Sequence, residues 1–206
     1  KHVDHTALKA FCTWAGIQKL CGEAITYGMA SVCVPPCYIR RIHDTYGEKL
    51  NICTVIGFPL GYSTTASKVQ EARDAVADGA SEIDMVINIA DVKNGDYQKV
   101  EEEIRAIRGA CQGKILKVII ETCYLTEEEK IAMCHAVTNA KADYIKTSTG
   151  FGTAGAQLTD IALFKANIGP DVKIKAAGGI RTRQAMEDFL AAGCDRIGSS
   201  SALDIL

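Results

Sequence analysis

Residues Asp143–Gly152 read DYIKTSTGFG, and a second stretch, Val172–Gly179, reads VKIKAAGG. Both start with the β-branched and apolar residues of a buried strand, and both run into glycine turns. Each also sets a lysine, Lys146 or Lys175, where a strand interior packs Val or Ile. Side chains alternate across a strand, so each lysine is committed to one face of a sheet. The kind of sheet that accepts such residues decides the fold.

Eight β-rich runs recur along the chain: His2–Thr6, Ala30–Val34, Asn51–Gly57, Glu82–Asn88, Ile115–Glu121, Asp143–Thr149, Val172–Ala177 and Asp195–Ser200. Between them lie segments with helical periodicity. Gly16–Gly28 carries apolar residues at Ile17, Leu20, Cys21, Ala24 and Ile25 and closes on glycine. Thr65–Gly79, Asp96–Ala110 and Thr182–Gly193 repeat the pattern. Thr126–Ala140 opens with TEEEK, where Thr126 and Glu129 have capping-box spacing. Strands alternating with helices imply parallel pairing through crossover helices, and eight such units close a (β/α)8 TIM barrel. A doubly wound open sheet is the rival; its GxGxxG turn after the first strand is absent. No repeat or linker divides the chain, so residues 1–206 read as one domain.

Within ILKVIIE, Leu116, Val118 and Ile120 share one face, while Lys117, Ile119 and Glu121 share the other. The apolar face must meet the helices, which turns Lys117 toward the barrel interior. The same alternation sends Asp84, Lys146 and Lys175 inward from three neighbouring strands. Unpaired buried charges lose several kcal/mol of hydration, so such groups pair or change protonation state. Crowded, buried ammonium groups favour a neutral amine, and a neutral amine attacks carbonyls to form Schiff bases. Lys146 and Lys175 sit at the same depth on adjacent strands, which suits one as nucleophile and the other as perturbing cation, with Asp84 as proton shuttle. An ion-pair network without chemistry is the plainer alternative for the same residues.

The remaining sequence narrows the field. A chain that is 48% hydrophobic and 23% charged has an ordinary globular balance. The net charge of -2 offers no bulk attraction for nucleic acid or anionic membrane, and no apolar run approaches the ~20 residues of a membrane span. Nine scattered cysteines include no CxxC, and the four histidines show no ligand spacing. This implies reduced thiols, a cytoplasmic setting and no metal. The chain opens at Lys1 rather than Met and reads as trimmed there. Gly178-Gly179 and Gly198-Ser199-Ser200-Ser201 follow the last two strands, where barrels hold phosphate on backbone N–H groups. Gly150 offers a further donor, and Arg181 a charge.

VDHTALK, ASVCV, CTVIGFPLG, EIDMVINI, LKVIIET, DYIKTSTGFG, KAAGGIRT and RIGSS, in this order, resemble the deoxyribose-phosphate aldolase family over nearly the whole chain. The resemblance implies a class I aldolase that needs no metal or cofactor. It implies reversible cleavage of 2-deoxy-D-ribose 5-phosphate to D-glyceraldehyde 3-phosphate and acetaldehyde. Lys146 would carry the Schiff base, Lys175 would tune it and Asp84 would relay protons. Asp4, Thr6, Cys33, Lys117 and Thr147 would lie in or beside the site. Gly150, Gly178, Gly179, Ser200 and Ser201 would cradle phosphate. Expected partners are small sugar phosphates and aldehydes, with a homodimer left open. Three features depart from the family: Pro35-Pro36 stands where many relatives have Asn-Pro, Phe151 where some have Lys, and no tail with a terminal tyrosine follows Leu206. A ketose-phosphate aldolase or transaldolase, or a binding barrel using its lysines only as cations, would use the same residues.

Overall fold

The computed structural model describes residues 1–205, so the tail expected to be trimmed at Leu206 lies outside them. Eight parallel strands close a barrel in sequence order: β1 (Val3–Thr6), β2 (Ser31–Val34), β3 (Ile52–Ile56), β4 (Glu82–Val86), β5 (Ile115–Ile119), β6 (Tyr144–Lys146), β7 (Lys173–Ala177) and β8 (Arg196–Ser199). β8 pairs back onto β1 and closes the ring. The helices are α1 (Trp14–Thr26), α2 (Ile39–Tyr46), α3 (Thr65–Ala77), α4 (Ile89–Lys93), α5 (Tyr97–Ala110), α6 (Glu127–Asn139), α7 (Leu158–Asn167), α8 (Arg183–Ala192) and α9 (Ala202–Ile205). This is a (β/α)8 TIM barrel, the expected fold.

Local chemistry sets the helix starts. Thr13, Thr64 and Thr182 each accept a backbone N–H from the third residue on, and Thr126 with Glu129 completes the capping box. The outer strand faces then meet the apolar helix stripes. Ile83, Met85, Ile87, Leu116, Val118 and Ile120 are fully buried in one cluster with Ile17, Ile104, Ile107 and Val137 from the helices. Each such side chain contributes about 1.5–3 kcal/mol on burial. A smaller cluster, Cys33, Cys53 and Val55 with Leu8 and Phe58, packs separately.

Two expectations shift. α2, α4 and α7 were not legible as helices, because their apolar stripes are short; α2 buries only Ile39 and Ile42. The sixth strand, expected over Asp143–Thr149, ends at Lys146. There the Thr147 hydroxyl accepts the Ala177 N–H at 3.1 Å and donates to the Ala177 carbonyl at 3.1 Å. A side chain thus takes the ladder bond that a strand carbonyl would accept, and the Thr147 carbonyl turns to Thr122 N.

One charged pair sits in the outer layer, away from the barrel interior. Lys68 of α3 is fully buried, with Nζ 3.0 Å from Glu103 Oε2 of α5 and 2.8 Å from the Val86 carbonyl. Burial pushes the Lys68 ammonium down and the Glu103 carboxyl up, so both charges persist only through each other and their backbone partners. Lys68→Met should therefore destabilise the fold by about 3–5 kcal/mol by stranding Glu103, and Lys68→Met with Glu103→Leu should recover part of the loss. Urea denaturation of the single and double variants checks this; equal losses would show that the pair contributes nothing as a pair.

Candidate active site

The barrel interior is built from charge. Asp84 on β4 is register partner of Lys117 on β5, and Lys146 on β6 is register partner of Lys175 on β7. Asp84 Oδ1 accepts Lys117 Nζ at 2.7 Å and the Cys53 thiol at 3.1 Å. Its other oxygen accepts both Lys146 Nζ and Lys175 Nζ at 2.7 Å. Beneath, Lys117 lies 2.5 Å from Glu82, and Lys175 lies 2.5 Å from Asp4. Arg196 on β8 bridges Asp4 and Glu82 at 2.5 and 3.1 Å. Within this ion-pair cluster four cations face three carboxylates, and a further buried carboxylate, Glu121, interacts with Lys146 from outside it.

The cations and anions hold each other's charge. Burial alone would neutralise Lys117, but Asp84, Asp4 and Glu82 keep its ammonium well above the ordinary lysine range. Lys175 is treated the same way, with Asp4 and Asp84 overcoming burial. Burial would raise the carboxyl of Asp84; Lys117, Lys146 and Lys175 hold it well below its usual range instead. Crowded lysines were expected to push one another toward neutrality. The acids interleaved among them reverse that trend for Lys117 and Lys175. Lys146 differs in contacts: its carboxylate partner is a single oxygen, shared with Lys175.

Lys146 is also the lysine of this cluster that reaches the mouth. It lines a cavity of about 540 Å³ at the C-terminal ends of the strands, whereas Lys117 and Lys175 lie beneath. Thr6, Gly150, Gly178, Gly179 and Ser200 line the same cavity, together with Thr149, Phe151, Arg181 and Ser199. Gly178 has φ +86°, and an added Cβ would sit 3.0 Å from Gly155 Cα, so only glycine lets the sixth and seventh loops meet there. Lys9 places its ammonium 5.4 Å from the centre of the Phe151 ring, so a cation stands beside this loop.

Other expected residues lie outside the lining. Asp4 and Lys117 are under the mouth, in the charge cluster. Cys33 is buried beside Cys53. The thiol of Cys53 and the cations Lys175 and Lys146 draw the Cys33 thiol down, against burial. Thr147 braces β6 to β7 instead of facing the cavity. The Ser201 N–H is 3.1 Å from Ser199 Oγ, in the turn leaving β8. Glu82, Arg196 and Cys53 were missed, although alternation from Asp84 and Gly198 points the first two inward.

Carboxylate, ammonium and open mouth share one end of a closed barrel, the geometry of an aldolase that works through an amine. A family profile described as DeoC/LacD family aldolase matches residues 1–203. The chain belongs to that family. It is 66% identical over 206 residues to the deoxyribose-phosphate aldolase of Clostridium botulinum (strain Alaska E43 / Type E3), covering 100% of this chain and 93% of that relative. It is 56% identical to the deoxyribose-phosphate aldolase of Clostridioides difficile (strain 630), covering 100% of this chain and 94% of that one. Among solved structures, the tetrameric deoxyribose phosphate aldolase of Aeropyrum pernix superposes with a TM-score of 0.92 at 29% identity, over 99% of this chain and 87% of that one. The family's fold and this barrel therefore agree.

The charge cluster makes stability depend on pH in a defined direction. Asp84 is lowered on folding, so its contribution is complete above the unfolded value of about 3.9 and is lost as pH falls toward the folded value. Lys117 and Lys175 are raised, so theirs is complete below about pH 10.4 and is lost as pH rises through their folded values. Asp84→Asn should flatten the loss of stability below about pH 4 relative to the parent chain. Urea midpoints measured down the acid range test this; parallel curves would show that Asp84 carries no special charge in the folded state.

Proposed function

We propose that this chain reversibly cleaves 2-deoxy-D-ribose 5-phosphate to D-glyceraldehyde 3-phosphate and acetaldehyde through a Schiff base on Lys146. The observation that carries the reading is the position of Lys146, at the cavity edge and sharing with Lys175 its one ion-pair oxygen among the described residues. Within the ion-pair cluster Lys146 has the fewest acid contacts to lose with its proton.

The neutral amine adds to the C1 aldehyde of the open-chain sugar. The carbinolamine loses water to give an iminium. A base path through Asp84 and water takes the C3 hydroxyl proton as the C2–C3 bond breaks, and the bond's electron pair passes into the iminium to leave an enamine. C3 departs as the aldehyde of glyceraldehyde 3-phosphate. Protonation of the enamine at C2 and hydrolysis release acetaldehyde and the free amine. Lys175 stays protonated throughout as the neighbouring cation, held by Asp4 and Asp84. Lys117 fixes Asp84 from the other side. No metal or cofactor enters any step.

Gly150, Gly178, Gly179 and Ser200, with Arg181 and Lys9 near them, receive the phosphate. Binding far from the reacting carbons orients the sugar. Thr6 lies at the cavity wall, while Asp4, Cys33, Thr147 and Ser201 shape the site from behind. The whole of residues 1–206 acts as one catalytic domain. The described cysteines are all free thiols, which supports a cytoplasmic setting. No helix among the described residues is long and apolar enough to cross a membrane. A tetrameric relative supports self-association, of which a homodimer is the simplest form.

Acetaldehyde with borohydride should add one ethyl group to Lys146, mapped by peptide mass spectrometry, and Lys146→Ala should show none. Labelling confined to a dihydroxyacetone-type donor would instead favour a ketose aldolase, and sugar-phosphate binding without any trapping would favour a binding barrel. Lys175→Leu removes the neighbouring cation, so the rise of kcat/KM with pH should move to higher pH. A profile that stays in place would end the tuning role of Lys175.

A further inference from the structure

Glu121 is a buried carboxylate that the reaction above does not use. Its backbone is left-handed, with φ 52°, in a residue that has a side chain. The strand pairing around it explains the conformation. Ile120 N donates to the Lys146 carbonyl at 3.1 Å, and Thr122 N donates to the Thr147 carbonyl at 2.9 Å. Two steps along one strand thus match one step along its partner, which is the count of a β-bulge. The extra residue re-aims its side chain, and the aim is specific. Both Glu121 carboxylate oxygens face the Thr149 N–H, at 3.2 and 3.3 Å, and Oε2 also accepts the Thr149 hydroxyl. The Thr149 hydroxyl in turn accepts the Phe151 N–H at 3.0 Å.

This chain of bonds encloses Gly150, which turns with φ +85°. The loop passes so close behind the carboxylate that a Cβ on Gly152 would lie 3.1 Å from Glu121 Cδ and 2.8 Å from Cys123 Sγ. Thr149, Gly150 and Phe151 all line the cavity; Glu121 does not. A bulge that leaves a non-glycine residue in the left-handed region persists where its surroundings fix it, and such strain gathers at functional sites.

We propose that Glu121 is the positioning residue of the phosphate loop. Its carboxylate clamps Thr149 from behind, and Thr149 fixes Phe151, so the Gly150 amide is presented to the phosphate ester in one geometry. The same bulge ties the clamp to the carbonyls of Lys146 and Thr147, so the loop is set at a fixed distance from the reactive amine. The inference rests on the phosphate reading above and adds the residue that organises it.

The test compares kcat/KM for deoxyribose 5-phosphate and for unphosphorylated deoxyribose in the parent chain and in Glu121→Gly, Glu121→Gln and Thr149→Val. Glycine accepts φ 52° without strain, so Glu121→Gly removes the carboxylate while sparing the backbone. The expected result is a fall of about tenfold or more in the preference for the phosphate ester, carried by KM, as expected for lost charge-assisted bonds. Competition by inorganic phosphate should weaken in parallel. Acetaldehyde trapping on Lys146 should persist, reporting a folded barrel. Glu121→Gln, which keeps one acceptor oxygen, and Thr149→Val should shift the preference in the same direction if Glu121→Gly does not fold. Equal losses on both substrates, or an unchanged preference in all three variants, would overturn the role of Glu121. A parent chain indifferent to the phosphate, and not inhibited by free phosphate, would overturn the phosphate reading itself and the inference with it.

Discussion

One carboxylate organises this barrel. Asp84 accepts three ammonium groups from three consecutive strands, β5 to β7, and a thiol from β3. Such a hub is expensive to bury, since each ion loses several kcal/mol of hydration that only close geometry restores. The geometry comes from register. Asp84 faces Lys117 and Lys146 faces Lys175 because the parallel strands pair at those positions. A slip of one residue in any of these strands would send a charged side chain into the helix layer. The same alternation that makes an apolar outer face therefore makes the reactive inner one.

The second layer of charge limits what the first can do. Asp4, Glu82 and Arg196 close the bottom of the cluster, and they give Lys117 and Lys175 acids of their own. Burial works against the ammonium forms of Lys117 and Lys175, and these acids together with Asp84 overcome it. Lys146 is left with one carboxylate oxygen that it shares with Lys175. Buried charge then serves selectivity among chemically identical side chains. Stability comes from elsewhere, chiefly the apolar contact between strands and helices and the capped helix starts.

The closed barrel was legible because eight apolar runs alternate with helical stripes, and because lysines interrupt three of those runs. Lys117, Lys146, Lys175 and Asp84 were placed inward by parity alone, and the coordinates gather them around one carboxylate. Glu82 and Arg196 follow the same parity. They escape notice because a charge near a strand start reads as solvent-exposed until the neighbouring strands are known. Parity turns Thr147 away from the interior, but not toward its bracing role: its hydroxyl replaces a ladder bond, and the strand ends at Lys146, just before it. Glu121 is the harder case. Alternation turns it inward with Lys117, but the bulge rotates it toward Thr149. No periodic rule anticipates an inserted residue; only the hydrogen bonds on either side reveal it.

The charge count bears on the carbon chemistry of the proposed reaction as well as on the free amine. With the amine neutral, the ion-pair cluster holds three cations and three carboxylates. Forming the iminium restores a fourth cation in a site nine-tenths or more enclosed around Lys146, Lys175 and Asp84. Nearby ammonium groups in a low-dielectric interior disfavour that state. Cleavage of the C2–C3 bond discharges it, because the electron pair that leaves the bond makes a neutral enamine. The neighbouring ammonium groups thus sharpen the electron sink: they act against the iminium and in favour of the step that consumes it. Lys175 would serve both stages by one means, keeping its proton beside an atom that must first lose one and later accept an electron pair.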